Sequence, residues 1–214
     1  DKYNLTREQN IFLAKKVLTS SVYNAVKLEG LNTTYVQTEK ILNGINDGNV
    51  SLDEVRTILN LKSAWKYILS NLDKKLDIDF ICNINKRVSA DESLDWGVIR
   101  YGSVGIRLTG GRRFEPEIPE INKVKENLKK INEIENITER ALNYYLWATR
   151  SQLFWDVNKR TSNIVANSIL ISGGKGILNI EENNLEEYNI KLSEYYLSGN
   201  KEEMMKFLYD KAIE

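Results

Sequence analysis

No histidine occurs among the 214 residues, and the only cysteine is Cys82. Without histidine there is no Ser-His-Asp or Cys-His arrangement and no histidine-ligated zinc. One cysteine forms neither an internal disulfide nor a cysteine-rich metal site; in its apolar setting, Phe80-Ile81-Cys82, it reads as a small core residue. Any metal must therefore be held by oxygen, which points to Mg²⁺ or a similarly hard cation. Charge of one sign is also missing, since 30 basic residues face 30 acidic ones. That balance argues against a broad nucleic-acid footprint and leaves only a local patch open. No apolar run approaches the ~18 residues that a membrane span needs. No signal-peptide pattern opens the chain, so the expected location is cytoplasmic. The chain begins at Asp1 rather than Met, as a truncated or processed chain would.

What is present is helical. The 42% apolar and 28% charged content is ordinary for a globular protein, and the length suits one well-buried core. Thr6-x-x-Gln9 is a capping box that opens a helix expected to run to about Leu28, with Gly30 as its stop. A shorter helix over about 33–43 ends at Gly44. Ser51-x-x-Glu54 caps a third, whose Val55, Ile58, Leu59, Leu61, Ala64, Trp65 and Ile68 recur at helical spacing. Ile78, Ile81, Ile84 and Val88 mark a fourth. The pattern then changes: Trp96 to Leu108 mixes Gly97, Gly102 and Gly105 with β-branched and aromatic residues, which predicts a short hairpin. Asn122 to Glu135 is charged enough to be a surface helix, and Asn136-x-x-Glu139 caps a long one. Gly173-Gly174 ends the helix after that, Gly176 to Ile180 suggests a short strand, and capped helices over 184–197 and 200–212 close the chain. The expected fold is mainly α with one small β-hairpin.

Chemistry concentrates in Ser151-Gln152-Leu153-Phe154-Trp155-Asp156-Val157-Asn158-Lys159-Arg160-Thr161-Ser162-Asn163. One helical run leads into this stretch and another leaves it. Lys159 and Arg160 fall at the start of the second helix, the positive end of its macrodipole. Cations there cost roughly 0.3–1 kcal/mol each unless an anion offsets them. Amide groups at such a terminus attract anions, so a phosphate would resolve the conflict, and Asp156 would hold a divalent cation against it. The competing reading makes Asp156 a helix cap and leaves both cations solvated. Phe154 and Trp155 read as core or pocket wall, and Arg112-Arg113 as a solvated hairpin edge.

The stretch resembles the signature of the Fic (filamentation induced by cAMP) family, His-x-Phe-x-Asp/Glu-Gly-Asn-Gly/Lys-Arg. Phe154 takes the aromatic position, Asp156 the acidic one, and Asn158-Lys159-Arg160 the basic end. The family histidine falls on Gln152, the glycine on Val157, and the frequent second arginine on Asn163. Lys-Arg-Thr is nearer the Doc-toxin branch. Elsewhere in the chain, Ala25-Val26-Lys27-Leu28-Glu29-Gly30 resembles the N-terminal inhibitory motif at its Glu-Gly end. Gly97-Val98-Ile99-Arg100 with Val104-Gly105-Ile106, then Pro116 and Pro119, resembles the flap hairpin. Gly173–Ile180 and the Tyr188/Leu192 helix match the tail, so the likeness covers roughly residues 18–210.

The resemblance implies one Fic-type helical domain over 1–214, with an N-terminal inhibitory-type helix over 1–30, a flap at 96–108 and core-motif helices at 137–173. It implies ATP and Mg²⁺ as cofactors, and a target protein whose hydroxyl accepts AMP (AMPylation). On that pattern Asp156 binds the metal, while Asn158 and Arg160 contact the phosphates with Lys159 nearby. Val104, Gly105 and Ile106 hold the target by edge pairing. The family histidine is a general base, worth roughly 10²–10⁴-fold. Gln152 takes no proton near neutral pH, though it can orient a hydroxyl, as glutamines do for water in GTPases. Val157 narrows the backbone approach that glycine allows. With Asn163 in place of the second arginine, Glu29 is expected to lack its usual partner, which puts its regulatory role in question. Three readings stand: an adenylyltransferase of atypical or low activity, a Doc-like kinase, and a catalytically silent nucleotide- or protein-binding module.

Overall fold

A computed structural model describes residues 1–45, 48–93 and 95–214. Among the described residues ten α-helices and one two-stranded hairpin occur. The helices are α1 (Arg7–Lys16), α2 (Leu18–Leu28), α3 (Tyr35–Leu42), α4 (Leu52–Leu69), α5 (Ile78–Val88), α6 (Ile121–Asn132), α7 (Ile137–Ser151), α8 (Asn158–Ser172), α9 (Leu185–Ser198) and α10 (Glu202–Phe207). The strands β1 (Ile106–Arg107) and β2 (Arg113–Phe114) lie between α5 and α6 and pair antiparallel, with Ile106 opposite Phe114.

Local chemistry explains most helix starts. Thr6, Thr34 and Ser51 each accept from the amide three residues on, and Gln9, Gln37 and Glu54 return the bond to close three capping boxes. Asp77 and Asn136 cap α5 and α7 through their side chains. Helix α8 is the central element. Val165, Leu170 and Ile171 are fully buried, and the helix packs against α7, α5, α4 and α1. A helix apolar on nearly every side is one enclosed by neighbours.

Four expectations need correction. The first predicted helix is two, because Val17 leaves helical geometry (φ −95°, ψ 9°) between α1 and α2. The hairpin lies further along than 96–108: only Ile106 and Arg107 of that span pair, with Arg113 and Phe114 across a turn at Thr109–Gly111. Gly110 and Gly111 both sit at φ +75°, so the turn takes the glycines that carry no Cβ penalty there. Residues 96–105 instead form an irregular segment anchored by the buried Arg100. Gly176 to Ile180 forms a single bridge, Leu178 to Ile213, rather than a strand. Helix α9 starts without a side-chain cap, whereas Asn200 Oδ1 accepts from the Glu202 amide at the start of α10, which loosens into a wide turn over Leu208–Ala212. No helix of the described residues is long and apolar enough to cross a membrane.

Candidate functional site

Helix α7 ends at Gln152, whose φ of +46° turns the chain sharply, and α8 starts after Val157 at φ +53°. Positive φ suits Asn, Asp or His but strains a β-branched residue. These two residues bound a tight arch, Gln152 to Val157. Asn158 staples it: its Oδ1 accepts from the Phe154 amide at 2.9 Å, and its Nδ2 donates to Phe154 O at 2.8 Å and to Gln152 Oε1 at 3.1 Å. Phe154 and Val157 are buried beneath the arch, the core role expected for Phe154. Trp155 packs across Gly102, where an added Cβ would stand 2.6 Å from its ring, and meets the exposed Tyr101 edge-on at 5.1 Å.

Gln152 is engaged by the protein itself. Its Nε2 donates to Thr149 O at 2.7 Å and lies 3.5 Å from Tyr196 Oη. Its Oε1 takes the Asn158 bond. Asp156 is exposed, and its Oδ1 accepts only from the adjoining Val157 amide at 2.6 Å. It does not cap α8, whose first turn has no side-chain cap, so the start of the helix keeps its anion-attracting character. Among the described residues no group of three or more His, Cys, Asp or Glu side chains is placed to hold a metal. Asp156 is thus a lone carboxylate, a donor set that suits a cation shared with phosphate oxygens.

The basic pair faces carboxylates, with Lys159 half-buried and Arg160 buried. Arg160 Nη1 donates to Glu92 Oε2 at 2.8 Å. Glu29, at the end of α2, places Oε1 3.6 Å from Lys159 Nζ and 3.9 Å from Arg160 Nε. Glu29 does lack the usual arginine, since residue 163 is asparagine, and its carboxylate faces instead the two cations that open α8. Asn163 does a different job, donating to Leu178 O at 3.2 Å and accepting from Asn167 Nδ2 at 3.1 Å.

Several working residues escaped the sequence reading. Arg100 is 1% exposed and donates to four backbone carbonyls: Gln152, Gly102, Glu117 and Ser151. Burial pushes its pKa below the usual arginine value, yet an arginine stays charged. It ties the segment before the hairpin to the arch, and no sequence signal separates it from a surface arginine. The hairpin in turn rests on α9. Ser193 Oγ accepts from the Thr109 amide at 3.2 Å, Arg112 pairs with Glu194 at 2.8 Å, and Phe114 lies 5.3 Å from the Tyr196 ring. Arg112 and Arg113 form the expected solvated edge, with surface ion pairs to Glu194 and Glu115. Val104, Gly105 and Ile106 run along the outer part of this segment with Gly105 exposed. A cleft of about 400 Å³ lined by Phe114, Trp147, Arg150 and Leu153 flanks the arch.

A helical bundle with an arch between two central helices and a small hairpin seated on α9 has the Fic-like fold. A Fic domain protein of Bacteroides thetaiotaomicron superposes with a TM-score of 0.76 at 21% identity, covering 96% of this chain and 81% of that one. A Fic-1 fragment of C. elegans gives 0.75 at 22% identity over 92% and 61%. A Fic family protein of Desulfovibrio desulfuricans gives 0.77 at 14% identity over 94% and 64%. In sequence, the protein adenylyltransferases Fic of Drosophila melanogaster and Drosophila yakuba are each 28% identical over 170 residues, 75% of this chain. The chain spans about a third of the length of these curated relatives, 34% and 33%. No protein-family model matches it.

Proposed function

We propose that residues 1–214 act as one Fic-type domain that binds a nucleoside triphosphate with Mg²⁺, and that its reaction, held at a low level, is transfer of AMP to a target-protein hydroxyl. The observation that carries this reading is the arch. It aligns an uncapped helix start, an exposed lone carboxylate and a buried arginine on the elements that the family motif occupies. These residues fit the group. Asp156 would take the cation, the first amides of α8 and Arg160 would take phosphate oxygens, and Lys159 would stand at the edge. Asn158 acts differently from the expectation drawn from the motif, since it shapes the cradle by fixing the arch rather than by offering a free donor. Bound Mg²⁺ supplies neutralisation of phosphate charge.

The protein's own contribution is positioning. Gln152 replaces a general base with a group that accepts and donates hydrogen bonds without moving a proton. Its amide points back to Thr149 and Asn158, so orienting a target hydroxyl requires it to leave those partners. Glu29 lies where phosphate charge would sit and acts as a regulatory residue by competing for Lys159 and Arg160. Val104, Gly105 and Ile106 would receive the target segment as an added strand. The engaged state of Gln152 also favours a second reading, a silent nucleotide-binding module.

ATP labelled at the α- or the γ-phosphate, incubated with Mg²⁺, cell lysate and either wild type or Gln152→His, separates the readings. The φ of +46° at this position tolerates histidine, so the variant should fold. We expect α-label on protein to rise by about 10²-fold or more in the variant, the usual worth of a positioned base. Label from γ alone would favour the Doc-like kinase. Silence from both chains while ATP binds would leave the binding module standing.

A further inference from the structure

Two carboxylates face the Arg160 guanidinium, and they hold it differently. Glu92 Oε2 accepts from Nη1 at 2.8 Å, and Glu92 is itself fixed by α4. Thr57 Oγ1 donates to the same oxygen at 3.1 Å, and Asn60 Nδ2 donates to the other at 2.9 Å. Glu29 stands 3.9 Å from Nε, outside hydrogen-bond range. Both Glu29 Oε1 and Arg160 Nε are buried without a hydrogen-bond partner, although the Arg160 side chain is only 8% exposed. An orphaned donor at that depth is costly. It identifies the Nε edge as the side of the guanidinium left for an incoming acceptor.

We propose that Glu92 is a positioning residue: it fixes the Arg160 fork through Nη1 so that the Nε edge faces an entering phosphate, which displaces Glu29 and leaves Glu92 in place. This rests on the reading of the arch as a phosphate site. The physical reason is the planar guanidinium. One firm bond at Nη1, made to a carboxylate that two α4 side chains hold still, sets the orientation of the whole fork. Charge alone predicts the opposite of positioning, because removing either carboxylate from beside an anion site would strengthen anion binding. The two residues should therefore respond with opposite signs.

Calorimetric titration of pyrophosphate, and of ATP with Mg²⁺, into wild type, Glu29→Gln, Glu92→Gln and Glu92→Asp reads this directly, with thermal melts confirming that each variant folds. Glu29→Gln should tighten binding several-fold. Glu92→Gln and Glu92→Asp should each weaken it by about tenfold, the scale of one misaligned charged hydrogen bond. The aspartate keeps the charge and loses only reach. Neither Glu92 change should matter once Arg160→Met is present. Tighter binding in Glu92→Gln, or wild-type binding in Glu92→Asp, overturns the proposal. A second measurement needs no ligand: the Arg160 Nε–H signal in nitrogen-15 NMR should shift and exchange faster in Glu92→Asp and persist in Glu29→Gln. If no form of the protein binds either phosphate compound, the phosphate-site reading fails. An Arg160 signal unmoved by Glu92→Asp removes the positioning role whatever the titrations show.

Discussion

Arg100→Lys tests whether one buried guanidinium holds the approach to the hairpin on the arch. The native side chain is 1% exposed and reaches carbonyls from three segments. It donates to Gly102 O at 2.6 Å and Ser151 O at 3.3 Å, with Gln152 O and Glu117 O both at 2.5 Å. Two of these acceptors close the C-terminal turn of α7, where a cation is favourable by roughly 0.3–1 kcal/mol. Lysine keeps that charge but offers its donors from one point, so it cannot span acceptors arranged around a planar fork. If two carbonyls are left bare, at roughly 1–3 kcal/mol each, the loss is about 3 kcal/mol. At roughly 2–4 °C per kcal/mol for a chain this long, the melting temperature should fall by about 6–12 °C. Calorimetry gives the shift, and hydrogen exchange should show residues 100–117 opening before the helices do. A fall of less than ~2 °C would mean that water serves those carbonyls equally well, and the argument for Arg100 as the tie would be wrong.

Other residues yield equally direct tests. Val157→Gly relieves roughly 1–2 kcal/mol of left-handed strain but exposes a site that buries a whole isopropyl group, worth about 1.5–3 kcal/mol. It also adds roughly 0.5–1 kcal/mol of glycine entropy, so thermal melting should show a net loss of about 1–2 kcal/mol; an unchanged or higher melting point would show that strain dominates. Asp156→Ala should abolish the Mg²⁺-dependent part of nucleotide affinity in calorimetry, and unchanged affinity would remove the metal role. Burial pushes the Cys82 thiol up to about 11. At pH 8 about one thiol in a thousand is then ionised, and native alkylation should lag far behind alkylation in denaturant. The sign is set by the neutral form being favoured in the fold: this contribution to stability is complete below the unfolded thiol's pKa and is lost as pH rises through about 11. Rapid native labelling at pH 8 would contradict the burial.

Helix starts were legible because their signals are local. Thr6, Ser51 and Asn136 announce caps within four residues, and the apolar spacing of α4 and α5 needs no tertiary information. The arch was legible as a charge conflict at Lys159-Arg160 flanked by two helical runs. What escaped depended on distant partners. Glu92 stands in a polar loop that reads like any solvated turn, and only the folding of α4 brings Thr57 and Asn60 to it. Arg100 looked like part of a strand, yet its four acceptors come from residues as far along as Gln152. The hairpin was misplaced because Gly97, Gly102 and Gly105 mimic turn punctuation. Gly102 instead makes room for Trp155, and the true turn takes Gly110-Gly111.

The charge conflict at the start of α8 is resolved inside the chain. Lys159 and Arg160 occupy the positive end of a helix with no side-chain cap, an arrangement that calls for an anion. Glu29 from α2 and Glu92 from the loop after α5 supply two carboxylates. Glu92 makes the direct bond to Arg160, which is too deeply buried to stand unpaired. The two carboxylates differ in exchangeability, however. Glu92 is bonded on both oxygens by α4, whereas Glu29 Oε1 has no hydrogen-bond partner. A phosphate arriving at the helix start brings more charge than the carboxylate it replaces and also satisfies the idle Nε of Arg160. On the proposed reading, the internal pairing of Arg160 and Lys159 therefore also opposes phosphate entry. Removing the Glu29 charge should, on that reading, ease phosphate entry, and the Gln152→His comparison should show whether the missing base limits transfer.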